Sequence, residues 1–190
     1  MNDPLIEWLA EVSDDPVAFV MGAFTWGEAG TQLESFDGPQ PWQLEILCSI
    51  RDGLIDTTTA IQLAVASGHG VGKSALVSWI ILWAISTMPD TRGVVTANTE
   101  TQLKTKTWAE LGRWHHRFIA KELFKLTATA IFSVDDAHER TWRIDQIPWS
   151  ERNTEAFAGL HNQGRRIILI FDEASAIPDM IWETSEGALT

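Results

Sequence analysis

Apolar positions along this chain change their period several times, and the changes mark its elements. LIEWLAEV (5–12) and DPVAFVMGAF (15–24) repeat at helical spacing and predict two short helices, whereas GEAGTQLESFDGPQ (27–40) is glycine-rich and polar and predicts a loop. PWQLEILCSIRDGL (41–54) predicts a helix with Pro41 in its first turn and Gly53 near its end. IQLAVA (61–66) is a short continuous apolar run suited to a buried strand, and the next helix is expected to begin inside Gly72-Lys73-Ser74. RGVVTA (92–97) predicts a second strand, followed by one long helix over 99–124. TAIFSV (129–134) and TWRIDQI (141–147) predict two short strands joined through DDAHER as a hairpin turn, and RIILIF (166–171) predicts a last strand ending in two acids. Apolar strands alternating with helices imply an α/β fold: a mostly parallel sheet covered by helices on both faces. The expected division is a helical extension over 1–40 and a single α/β domain over 41–190.

Composition narrows this picture. A chain of 190 residues buries one proper core. The single cysteine, Cys48, excludes an internal disulfide and fits a reducing compartment. The acidic start MNDPLIEWLAEV lacks the basic region of a signal peptide, and the longest apolar run, ALVSWIILWAI (75–85), is too short to span a bilayer, so no membrane role is expected. The net charge of −12 argues against a wholly basic nucleic-acid-binding surface. Charge is unevenly placed, however. Residues 1–60 hold eleven acids against Arg51 alone, a balance of −10, whereas 104–125 hold six basic residues against Glu110 and Glu122, a balance of +4. That basic stretch can meet phosphate locally, or can simply be a solvated helix face.

The chemistry concentrates in SGHGVGKS. Ser67 stands where a phosphate loop usually opens on glycine, and Gly68, His69, Gly70, Val71, Gly72, Lys73 and Ser74 complete the spacing between a predicted strand and a predicted helix. Small residues let backbone N–H groups converge on phosphate oxygens at a helix N-terminus. Lys73 is then expected to neutralise the β- and γ-phosphates of a nucleotide, and the Ser74 hydroxyl to ligate Mg²⁺. About a hundred residues later, Asp172 and Glu173 end a predicted strand, where ligands of open α/β sheets gather. Asp172 is expected to hold Mg²⁺, directly or through water, and Glu173 to act as general base on a water. A base poised for water points to hydrolysis rather than to transfer onto another acceptor. His115-His116 and the Asp135-Asp136-His138 group lack zinc spacing and are read as helix and turn residues; Trp108 and Trp114 are read as core positions or, alternatively, as contacts to DNA or a partner.

Together these pieces resemble the large subunit of tailed-phage terminases, the ATPase that packages viral DNA. PWQ (41–43) looks like the adenine-recognition motif of that family, SGHGVGKS like its phosphate loop, TANTETQLKTKTW (96–108) like its following segment, and AFAGLHNQGRRIILIFDEASAIPDMIWE (156–183) is the closest match. The resemblance implies a P-loop ATPase fold of the ASCE type with ATP and Mg²⁺ as cofactors and Gln43 on the adenine edge. It also implies double-stranded DNA, a portal protein and a terminase small subunit as partners, a ring of several copies when active, and the cytoplasm of an infected bacterial host as location.

Two departures stand out. Many terminases carry an arginine in the phosphate loop where this chain has His69, so an arginine finger is expected elsewhere: Arg165 and Arg166 are the candidates, with Arg140, Arg143 and Arg152 as alternatives. The family pattern also continues into a further sheet strand and a nuclease domain, so the chain is read as an N-terminal piece. A helicase-like translocase, or a nucleotide-binding assembly module that does not hydrolyse, are the alternative functions.

Overall fold

The computed structural model describes residues 3–56, 58–66, 68, 70–97, 99–148 and 164–174. Local signals open the first three helices. Asp3 caps α1 (Pro4–Glu11) by accepting from the Leu5 amide at 2.9 Å, and Asp15 caps α2 (Pro16–Ala23) by accepting from the Val17 and Ala18 amides at 3.0 Å. A proline at the first helical position follows each cap, where its missing N–H costs nothing. Pro41 likewise opens α3 (Pro41–Gly53), and the expected bounds hold.

The central helix α4 (Lys73–Thr87) is apolar on every side because other elements surround it: Leu76, Trp79, Ile81, Leu82, Trp83, Ala84 and Ile85 are all buried. Each buried leucine or isoleucine stabilises the fold by about 1.5–3 kcal/mol. The hydroxyls of Ser78, Ser86 and Thr87 stay satisfied by donating to carbonyls four residues earlier, at 2.7, 2.6 and 2.6 Å. Leu9 of α1 and Phe19 and Val20 of α2 belong to the same core as α4, so the first helices pack on the sheet-bearing part of the chain.

Five strands follow: β1 (Arg92–Ala97), β2 (Phe124–Leu126), β3 (Ala130–Ser133), β4 (Arg143–Gln146) and β5 (Ile167–Asp172), in the order β2-β3-β4-β1-β5. β1 lies parallel to both β4 and β5, whereas β2–β3 and β3–β4 are antiparallel, so the sheet is mixed rather than mostly parallel. The short link through DDAHER explains the difference, since only antiparallel neighbours can be joined without a long crossover. At the β1–β5 contact Gly93 is required: a Cβ there would lie 2.3 Å from Ile168 Cγ2 and 2.6 Å from the Ile168 carbonyl oxygen.

Two other expectations change, and the two faces of the sheet differ among the described residues. Val95, Ala97, Ile168 and Ile170 face the helices, while Val94, Ile167, Leu169 and Phe171 form a smaller cluster on the opposite face. IQLAVA is not a strand: residues 61–66 are irregular, with Ile61, Leu63 and Val65 exposed, and no strand among the described residues pairs with them. The helix expected over 99–124 is composite and shorter. It comprises α5 (Glu100–Gln102), a π-helical turn (Leu103–Trp108) and α6 (Ala109–Arg117), and after a 3₁₀ turn at Lys121–Leu123 the chain enters β2. Phe124 leaves the helix because it buries its ring against the core, edge-on to Trp142 at 5.4 Å between centroids, while pairing with Ser133.

Candidate phosphate and metal site

The turn before α4 is shaped by glycines for two different reasons. Gly70 (φ +77°) and Gly72 (φ +93°) occupy the left-handed region that side chains disfavour. At Gly68 and Gly70 a Cβ would meet nothing within 4 Å, so packing does not demand glycine there and the space beside the loop is open. At Gly72 a Cβ would lie 2.9 Å from Gln43 Nε2. No side chain caps α4, which leaves its first amides directed at that open space with the positive end of the helix dipole behind them. Lys73 Nζ reaches back to the Gly68 carbonyl at 3.4 Å.

The opposite wall comes from the sheet. Asp172 is the last residue of β5, paired in register with Ala97, and shares the helix-covered side of the sheet with Ile168 and Ile170 because strand side chains alternate. There it meets the π-helical turn: the buried Thr107 hydroxyl donates to Asp172 Oδ2. Glu173 follows with φ +56°, a left-handed conformation that is uncommon for a residue with a long side chain and that recurs at functional sites.

These elements enclose a cavity of about 450 Å³, within the size range of small-molecule sites. Gly70, Gly72, Lys73, Ser74 and Ala75 line one side of it; Asp172 and Glu173, with Lys106 and Glu110 from the helical layer, line the other. Two ammonium groups face three carboxylates, a side-chain balance of 2 − 3 = −1. A polyanion alone would be repelled by the acids, whereas a polyanion with a divalent cation satisfies both signs. The donor set therefore fits a nucleotide polyphosphate with Mg²⁺: backbone amides and Lys73 for phosphate oxygens, and Ser74 and Asp172 for the metal.

The other expected site residues are distributed differently. Val71 lies in the loop without lining the cavity, and Ser67, His69 and Arg152 lie outside the described residues. Gln43 is buried beneath the loop, 3% exposed, where its Oε1 accepts from the Gln40 amide at 2.8 Å and its Nε2 donates to the Gly72 carbonyl at 2.9 Å. Its amide thus supports the loop rather than facing a base.

Arg165 and Arg166 are not at the cavity: they precede β5, and the whole length of that strand separates them from Asp172. Arg166 is committed to packing. Its guanidinium lies 4.1 Å from the Trp83 ring centroid and donates to Thr87 Oγ1 at 2.6 Å and to the Ser13 carbonyl at 2.8 Å. Burial lowers its pKa to about 10. Arg143 pairs with Asp145 at 2.6 Å, and Arg140 lies exposed in the β3–β4 connection.

Sequence reasoning placed no role on Thr107 and counted Lys106 and Glu110 only as helix charges. Lys106 and Glu110 stand four apart, the spacing of one helix face, which was the available signal. Trp108 and Trp114 are buried core residues, the indole N–H of Trp108 donating to the Thr127 carbonyl at 2.8 Å. Among the described residues no group of three or more metal-binding side chains occurs, and no helix is long and apolar enough to cross a membrane.

Fold and site together define an α/β protein with a mixed five-stranded sheet flanked by helices and an anion- and cation-compatible cavity where a glycine-rich turn meets a strand end. Over 137 residues the chain is 31% identical to a protein described as a probable terminase, large subunit, of Enterobacteria phage P7. The match covers 67% of this chain and 26% of that protein, so the chain spans about a quarter of its relative's length. No protein-family model matches the chain, and no solved structure does.

Proposed function

We propose that this chain is the ATPase motor portion of a phage terminase large subunit, a P-loop ATPase of the ASCE type that hydrolyses ATP to drive double-stranded DNA into a procapsid. One observation carries the reading: the glycine turn at the head of α4 and the Asp172-Glu173 pair at the end of β5, about a hundred residues apart in sequence, share one cavity. The similarity to the terminase of phage P7 supports the purpose assigned to that chemistry.

In this reading the amides of residues 70–74 and the Lys73 ammonium bind the phosphates, and Ser74 and Asp172 hold the magnesium ion. When bound, Mg²⁺ supplies neutralising charge beside the terminal phosphates. Glu173 orients a water and accepts its proton as the water oxygen bonds to the γ-phosphorus; the bond from that phosphorus to the β–γ bridging oxygen breaks, releasing ADP and phosphate. The portal protein, the terminase small subunit and further copies of the chain in a ring are the proposed partners, within the cytoplasm of an infected host.

The test is Mg²⁺-dependent ATP binding and steady-state hydrolysis, with and without double-stranded DNA, for the chain and for Glu173→Ala and Lys73→Ala. Binding that survives in Glu173→Ala while turnover is lost, and binding that fails in Lys73→Ala, is the expected result. A wild-type chain that binds no nucleotide overturns the reading.

A further inference from the structure

We propose that Lys106 is the second phosphate-binding cation of the cavity and reads the terminal phosphate of the nucleotide from within the same chain. The inference rests on the nucleotide-site reading above and adds the residue that distinguishes a triphosphate from a diphosphate.

Arg165 and Arg166 lie at the far end of β5, and Arg166 is held there by Ser13, Thr87 and Trp83. Lys106 instead lines the cavity together with the glycine turn that carries Lys73. Its position is set by buried neighbours on the π-helical turn: Leu103 and Trp108 are in the core, and Thr107, the next residue, binds Asp172. The backbone of Lys106 is therefore registered against the carboxylate assigned to the metal, and both residues line the same cavity. The other flank of the loop, at Gly72, is occupied by Gln43.

The surrounding charges leave the Lys106 ammonium available. Lys104 pairs with Glu100 and Arg113 pairs with Glu110, while Arg117 donates to Gln32. Glu110, one turn from Lys106 and in the same cavity, is occupied on both oxygens, by Arg113 Nη1 at 2.8 Å and by Trp114 Nε1 at 2.9 Å. Lys106 enters no ion pair among the described residues. Lysine acts on phosphate as a compact point charge on a flexible stem, so it can follow the terminal phosphate through the loss of the β–γ bond without a fixed bidentate geometry.

The experiment is calorimetric titration of the chain, Lys106→Ala, Lys106→Arg and Lys104→Ala with Mg-ADP and with the non-hydrolysable Mg-β,γ-imido-ATP. The expected result is a fall on the order of tenfold in affinity for the triphosphate in Lys106→Ala, with ADP affinity unchanged, partial recovery in Lys106→Arg and no effect in Lys104→Ala. Because Lys106 is exposed, its replacement leaves the thermal unfolding midpoint unchanged. An unchanged triphosphate-to-diphosphate ratio in Lys106→Ala, with wild-type binding intact, overturns the role of Lys106 and leaves the nucleotide site standing. Absence of nucleotide binding by wild type overturns both.

Discussion

The Thr107 hydroxyl donates to Asp172 Oδ2, tying the π-helical turn after β1 to the last residue of β5 across 65 positions of sequence. One carboxylate oxygen is thereby spent on a buried partner while the residue lines the cavity, so in the proposed reading this bond holds the Asp172 carboxylate in place beside the metal. Thr107→Val keeps the shape and removes the donor. A hydrogen bond to a charged group contributes about 1.5–3 kcal/mol, so the unfolding free energy is expected to fall by about that amount. The Mg²⁺ concentration needed for half-maximal nucleotide binding is expected to rise several-fold, and Thr107→Ser to restore both. A fall in stability with an unchanged Mg²⁺ titration would make the contact purely structural.

Gln43 lies under the loop, with its amide bonded to Gln40 N and Gly72 O. Gln43→Ala is expected to lower stability by about 1–2 kcal/mol and to weaken ATP and GTP binding by equal factors, because it loosens Gly72 rather than a base contact. A selective loss of ATP binding against GTP would instead assign Gln43 to the adenine edge.

Asp90 and His138 join the α4–β1 and β3–β4 connections, with Asp90 Oδ1 2.7 Å from His138 Nδ1 and 3.0 Å from Thr141 Oγ1. Hydrogen bonding with Asp90 holds the His138 pKa above its ordinary 6.5, and the same bond holds Asp90 below its ordinary 3.8. The histidine part of this stabilisation is full below pH 6.5 and is lost as pH rises through the raised value. The aspartate part is full above pH 3.8 and is lost as pH falls through the lowered one. The difference in thermal midpoint between wild type and His138→Ala is therefore expected to be largest between about pH 4 and 6.5 and to vanish under alkaline conditions. A difference independent of pH would show that the ring acts through packing on Trp142 alone.

Arg166 stacks on Trp83 and donates to Thr87 and Ser13. Arg166→Met keeps an apolar stem but removes the donors, and it is expected to lower stability by about 2–4 kcal/mol while the folded protein binds nucleotide as wild type does. Exposed Arg165→Ala is expected to change neither. A catalytic finger would behave oppositely, losing turnover with the thermal midpoint intact.

Much of the local structure was legible because it is punctuated locally. Asp3-Pro4, Asp15-Pro16 and Pro41 start helices through caps and a fixed φ, and Gly72-Lys73-Ser74 marks where α4 begins. RGVVTA and RIILIF, each with a short β-branched apolar run behind an arginine, became the parallel neighbours β1 and β5, and TAIFSV and TWRIDQI became an antiparallel hairpin. IQLAVA misled because an apolar run states only a preference to be covered; becoming a strand requires a neighbour's edge, and none of the described strands supplies one.

The glycines, Lys73, Ser74, Asp172 and Glu173 could be picked out from spacing alone, because a tight turn and a strand end each leave a signature within a few consecutive residues. What those residues meet was decided by tertiary structure. The π-helical turn brings Lys106 and Thr107 to the cavity, while the run of β5 carries Arg165 and Arg166 away from it. The physical reason is that backbone signals act over a few residues, whereas the position of a side chain relative to a distant charge depends on register and helix phase, and one added residue in a helical turn rotates everything after it by about 100°.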